Sequence, residues 1–221
     1  MTRSLRHYTT AYLRRKYNEK GIENMEHTPL SLTAKPLCPE NWHDFEALFE
    51  KHRGVRGGCW CVYYLCKSTD YNRMGPEGRR AFHKELALSG RAQGLIAYEG
   101  ETPVGWCQFG KPDLLCQYDR GRTYPKLSIA PEDKPSWRIS CLFTDKHRRS
   151  RGIAIRTLHA ALEEIARLGG GVVEAFPLDS PKIKHNVFSG SADMYRREGF
   201  TEVARLTENT LFMRKRVEAK A

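Results

Sequence analysis

The stretch Trp137-Arg138-Ile139-Ser140-Cys141-Leu142-Phe143-Thr144, followed by Asp145-Lys146-His147-Arg148-Arg149-Ser150-Arg151-Gly152-Ile153-Ala154, decides the fold of this chain. The first part is an apolar run of strand length, and Ile155 to Leu168 beyond the turn is amphipathic, so the segment reads as strand, short basic turn, helix. The spacing Arg149-x-x-Gly152-x-Ala154 matters because a helix start carries unpaired N–H donors and a partial positive charge, which suits an anion. Gly152 lets the chain approach that anion closely, Ala154 keeps the next turn uncrowded, and the arginines add charge. The expected guest is a pyrophosphate.

Two better-known phosphate loops do not fit. The chain lacks Gly-x-x-x-x-Gly-Lys-Ser/Thr and lacks Gly-x-Gly-x-x-Gly after an early strand. The single-glycine, arginine-led turn late in the chain instead resembles the acyl-CoA loop of the GNAT N-acetyltransferase superfamily, Gln/Arg-x-x-Gly-x-Gly/Ala.

The surroundings of the turn carry the same resemblance. Ile155, Leu158, Ala161, Leu162, Ile165 and Leu168 recur at helical spacing, and Gly169-Gly170-Gly171 stops the helix. Val172 to Phe176 reads as a short buried strand, Ser191 to Glu198 as a helix, and Thr201 to Leu206 and Thr210 to Val217 as two strands. Upstream, Gly94 to Tyr98 and Val104 to Phe109 flank a turn and form a hairpin. The order strand, helices, hairpin, strand, turn, helix, strand, helix, two strands resembles the GNAT fold from about Leu30 to Val217. The resemblance implies a single α/β domain with a central mixed, mostly antiparallel sheet flanked by helices, spanning 28–221.

Composition agrees with one sizeable core: 221 residues, 40% of them hydrophobic. No apolar run approaches a membrane span and the N-terminus has no secretory pattern, so the expected location is the cytoplasm. Seven cysteines then read as reduced thiols. Residues 1–27, rich in arginine and lysine and poor in core-type residues, read as a basic extension outside the domain. The net charge of +11 could attract nucleic acid, but no nucleic-acid motif accompanies it, and a polyanionic coenzyme profits from the same charge. No membrane partner is expected, and the oligomeric state, a dimer included, is left open.

What the resemblance implies for the site can be carried over residue by residue. Leu142, Phe143 and Thr144 match the end of the strand whose backbone holds the pantetheine arm and aims one N–H at the thioester carbonyl, where it would stabilise a developing oxyanion. Arg149, Ser150, Arg151, Gly152, Ile153 and Ala154 match the pyrophosphate loop of acetyl-CoA. Tyr195-Arg196-Arg197-Glu198-Gly199-Phe200 matches Tyr-x-x-x-Gly-Phe, which makes Tyr195 the general acid for the departing thiolate. The family's upstream asparagine and alanine are replaced by Phe188 and Ser191, with Asn186 and Ser189 as nearby substitutes. For a general base the family often uses a strand glutamate, and Glu174 is the best-placed carboxylate. Asp145 and His147 are further candidates, and a weakly basic amine needs none.

The most individual feature is Gly57-Gly58-Cys59-Trp60-Cys61-Val62-Tyr63-Tyr64-Leu65-Cys66. Zinc, with His52, Cys107 or Cys116 completing a site, or a reactive thiol would use such cysteines, but the C-x-C-x4-C spacing is poor for zinc and no metal is expected. In GNAT proteins the segment after the first helix borders the acceptor, which makes Cys59, Trp60, Cys61 and Tyr63 the expected pocket for a small-molecule or protein amine. Lys111 to Pro135 is a long insertion, read as a wall over the acceptor or as a solvent-exposed loop. Three readings stay open: an acetyl-CoA-dependent N-acetyltransferase, a CoA-binding regulatory protein without turnover, and a basic nucleic-acid-binding module.

Overall fold

The computed structural model describes residues 31–180 and 188–220. The 1–27 extension and Asn186 lie outside the described residues. Seven strands form one sheet in the order β1-β2-β3-β4-β5-β7-β6. They are β1 (Leu32–Pro36), β2 (Leu95–Glu99), β3 (Thr102–Gly110), β4 (Trp137–Thr144), β5 (Gly171–Ala175), β6 (Thr201–Thr207) and β7 (Thr210–Val217). Every neighbouring pair is antiparallel except β4 with β5. The architecture is α/β, with a mixed, mostly antiparallel sheet and flanking helices, in the element order read from the sequence.

The helices are α1 (Trp42–Glu50), α2 (Ser68–Leu88, broken at Gly75-Pro76), α3 (Ile153–Arg167) and α4 (Ala192–Arg197). α3 packs on the sheet through Leu158, Ala161, Leu162 and Ile165, all buried in the main core with Leu95, Ile139 and Val173. It can come close because β3 has Gly105 beneath it, where a Cβ would lie 2.8 Å from Thr157 Oγ1 and 3.1 Å from the Ile153 side chain. A second core lies under α1 and α2, where Phe45, Phe49, Trp60, Trp106 and Phe143 pack together. Among the described residues no helix is long and apolar enough to cross a membrane.

β4 and β5 share a short register, Trp137↔Val173 to Ile139↔Ala175. Past Ile139 the strands part. The pairing of β4 with β3 also shifts there, between Gln108 and Phe109, so that Ser140 is the extra residue of a bulge. The open edge of β4 from Ser140 to Thr144 therefore faces a fork, which positions everything that follows.

Lys111 to Pro135 packs onto the sheet, and its Tyr118 also stacks on Tyr64 with ring centroids 4.6 Å apart. On its way Tyr118 stacks on Phe176 at 3.7 Å between ring centroids, and Tyr124 packs edge-on against Phe176 and Phe212. The segment thus covers the sheet face around β4, β5 and β7, a face that would otherwise meet water.

Candidate active site

Two cavities open along β4. The first lies at the start of α3 and is about 510 Å³, walled by Leu142, Phe143, Thr144 and by Arg149, Ser150, Gly152, Ile153 and Ala154. Gly152 caps α3 at a φ of 74°, a left-handed conformation that glycine adopts freely, and no side chain caps the helix there. Its first N–H groups thus remain without a side-chain acceptor. Thr144 Oγ1 is buried without a hydrogen-bond partner among the described residues. An anion at the helix start and an extended polar chain along β4 would meet both needs, so these residues fit a diphosphate-bearing coenzyme.

Arg151 stands apart from its neighbours in the loop. Its guanidinium pairs with Glu99 at 2.8 Å, Arg148 pairs with the same carboxylate, and neither lines the cavity. Of the three arginines, Arg149 alone is in the wall.

The second cavity, about 620 Å³, is bounded by the cysteine-rich segment on one side and by Gln108, Ser140 and Cys141 of the sheet on the other. Cys59, Cys61, Tyr63 and Tyr64 line it, whereas Trp60 faces the core, stacked against Phe49 with centroids 6.0 Å apart. The segment is pinned from below. Gln108 Nε2 donates to the Cys61 carbonyl at 2.8 Å, Trp106 Nε1 donates to Cys61 Sγ at 3.2 Å, and His83 Nδ1 stands 2.7 Å from the Trp60 carbonyl. The backbone is unusual: Arg53, Gly54, Val55, Arg56, Gly57 and Gly58 all have positive φ, and so do Trp60 and Cys61, the two residues those ties hold. For a β-branched residue such as Val55 that conformation is strained. Burial, with Cys141 beside it, pushes the Cys61 thiol well up, which keeps it neutral. All seven cysteines are free.

The sequence offers His52 only as a metal ligand, yet it lines the second cavity as half of a buried pair. Its Nε2 is 3.1 Å from Asp145 Oδ1, and Asp145 also accepts from Lys51 Nζ at 2.7 Å and from the His147 backbone N–H at 2.9 Å. Burial alone would raise the Asp145 carboxyl, but those donors outweigh it and hold it below its ordinary range. An ionised carboxylate can only accept, so Nε2 carries the proton and Nδ1 keeps its lone pair. Burial lowers the His52 pKa below 6.5, even though Asp145 pulls the other way. Among the described residues Nδ1 has no hydrogen-bond partner. The sequence holds no signal for this pairing, because the two residues are far apart in the chain. His147 stacks beside His52, with ring centroids 6.0 Å apart, and is outside both cavity walls.

Glu174 is brought to neither cavity. It is 0% exposed, with Tyr124 Oη 2.9 and 2.7 Å from its two oxygens, Arg138 Nε at 3.3 Å and Arg214 at 4.0 Å. Arg138 is itself gripped by both oxygens of Asp119 at 2.7 Å. Burial raises the Glu174 pKa against the opposing pull of Tyr124 and Arg138. This is a satisfied internal network under the insertion, with no lone pair turned to a cavity.

Tyr195 is 1% exposed and sits one layer behind the first cavity, next to Gly190, whose added Cβ would lie 2.9 Å from its ring. Burial raises its pKa well above 10, and Cys107, Cys141 and Tyr64 add to the effect. Tyr195 is in the wall of neither cavity. Its hydroxyl has no hydrogen-bond partner among the described residues. Phe188 lines both cavities, stacks on Phe143 at 6.3 Å, and its carbonyl accepts the Leu142 N–H at 2.6 Å.

No protein-family model matches the sequence, and no curated protein matches it. Among solved structures the chain is similar to an N-acetyltransferase from Staphylococcus aureus, at 13% identity and a TM-score of 0.48 over 85% of this chain and 99% of that one. It is also similar to an acetyltransferase from Thermus thermophilus, at 15% identity and 0.48 over 85% and 98%. A third is the PaiA N-acetyltransferase from Thermoplasma acidophilum in complex with coenzyme A, at 13% identity and 0.48 over 84% and 99%.

Proposed function

We propose that the chain is an acetyl-CoA-dependent N-acetyltransferase. One observation carries the reading: Ser140 and Cys141 line the second cavity, and the next residues of the same strand, Leu142, Phe143 and Thr144, line the first. A single open strand edge therefore leads from an anion-binding helix start to a separate pocket, the path that a long thioester needs to reach a second substrate. When bound, acetyl-CoA supplies an acetyl group activated as a thioester.

The chain's own groups divide the remaining work. The N–H groups opening α3 and the Arg149 guanidinium bind the diphosphate. Thr144 Oγ1 and the open edge of β4 orient the pantetheine arm. His52 Nδ1, in place of Glu174, takes the proton of the attacking amine, while Asp145 fixes the imidazole tautomer. Tyr195 Oη gives a proton to the departing thiolate. Seven free thiols suit the reducing cytoplasm.

The test is coenzyme-dependent thiol release with a panel of amines, run beside heat-stabilisation by CoA for wild type and Gly152→Trp. The expected result is turnover and stabilisation in wild type and loss of both in the variant. Equal stabilisation of the two proteins would overturn the cofactor assignment. Stabilisation without turnover for any amine would favour a regulatory CoA-binding protein.

A further inference from the structure

The wall of the second cavity is one-signed. Arg53, Arg56 and Lys146 line it together with His52, and among the described residues no aspartate or glutamate does. The nearest buried carboxylate, Asp145, is already engaged by Lys51, His52 and the His147 N–H.

Those cations also differ from many arginines among the described residues. Arg80, Arg91, Arg138, Arg148, Arg151, Arg167, Arg196, Arg205 and Arg214 all pair with carboxylates. Arg53, Arg56 and Lys146 have no ion pair among the described residues. Two of them stand on the left-handed turn, at φ 56° and 42°. An L-residue in that region is strained. The turn is nevertheless held there by backbone hydrogen bonds, Gly54 N–H to the Phe49 carbonyl at 2.9 Å, Val55 N–H to that of His52 at 3.0 Å and Cys59 N–H to that of Val55 at 2.8 Å, and what it presents to the cavity is unpaired positive charge.

We propose that the acceptor is a small amine that also carries an anionic group, a carboxylate or a phosphate, which Arg53, Arg56 and Lys146 bind. The inference rests on the acetyltransferase reading and deepens it. A polyamine or aminoglycoside would bring further positive charge to a wall that offers no counter-charge. An anionic handle cancels the repulsion, and a guanidinium can bind it in a bidentate manner. The same cations work on the other end of the acceptor. They favour loss of the ammonium proton, so the amine arrives closer to its nucleophilic form. A cavity of about 620 Å³ suits a small molecule rather than a folded surface.

The experiment uses the purified full chain with CoA present and reads acceptor binding by calorimetry, so it does not depend on turnover. Its arms are an amino acid, the amide of that amino acid, a phosphate-bearing primary amine and a linear polyamine. Expected is at least tenfold tighter binding of an anionic amine than of the amide or the polyamine, and loss of that preference in Arg56→Glu and Arg53→Glu. The carboxylate and phosphate arms identify which anion is preferred. Equal binding of acid and amide, or an unchanged preference in both variants, would overturn the inference. CoA affinity is read in the same titrations, and its absence would sink the cofactor reading instead.

Discussion

Asp145 Oδ1 accepts from His52 at 3.1 Å and from the His147 backbone N–H at 2.9 Å, so the turn that leaves β4 also fixes an imidazole delivered by the end of α1. A histidine oriented in this way works as a base only when neutral. Its pKa is held below 6.5 by burial, so turnover is expected to be flat above pH 6.5 and to fall as the pH drops through the His52 pKa. His52→Gln should lower kcat by about 10²-fold with CoA affinity unchanged. A pH–rate profile of the two proteins checks this, and an unaltered acid limb in the variant would remove His52 from the mechanism.

Gly152→Ala puts a Cβ on a residue whose φ is 74°. The strain is on the order of 1 kcal/mol, and relief would swing the helix-start N–H groups away from the phosphate. CoA should bind at least tenfold more weakly by calorimetry, with little change in the acceptor's KM at saturating coenzyme.

Tyr195→Phe removes a hydroxyl that has no partner among the described residues, so the cost in stability should stay within about 1 kcal/mol. If the phenol supplies the thiolate proton, kcat falls by roughly 10²-fold or more while CoA affinity holds. Unchanged turnover would assign Tyr195 to packing against Phe200, whose ring centroid is 5.1 Å away.

Glu174→Gln should act on folding. Removing one charge from the network of Tyr124, Arg138 and Arg214 weakens its buried hydrogen bonds, while Arg138 keeps Asp119 and Arg214 keeps Asp133, at a cost of about 1–3 kcal/mol. A urea midpoint reads that loss. The kcat per folded molecule should match wild type, and a selective loss of kcat would return Glu174 to the chemistry.

His83 is 0% exposed, and burial lowers its pKa to about 4. The folded protein therefore sheds this proton more readily than the unfolded chain, whose histidine titrates near 6.5. Its contribution is complete above pH 6.5 and lost as the pH falls toward 4, amounting to roughly 3 kcal/mol. His83→Phe should flatten the stability profile across that window, measured by denaturation at stepped pH.

What is legible in the sequence is local. Ile155, Leu158, Leu162 and Ile165 set a helical period, Val104 to Phe109 a strand, and Gly152 a helix start, because each signal sits within a few residues of what it specifies. Glu174 escapes such a reading for a reason that is not local. Alternation along a strand says that Glu174 opposes Val173 and Ala175, but says nothing of what covers its face. Tyr118, Tyr124 and Asp119 cover it, from an insertion that carries no periodicity of its own. The His52–Asp145 pair is hidden in the same way, since only the folded sheet brings α1 against the end of β4.

Phe188 is a wall to two rooms at once. Its carbonyl already holds the Leu142 N–H, so a guest that takes this donor exchanges one hydrogen bond for another and gains little there. Any displacement of Phe188 by one guest also reshapes the space of the other. Linkage then makes the two affinities reciprocal: whatever factor the coenzyme confers on the acceptor, the acceptor returns to the coenzyme.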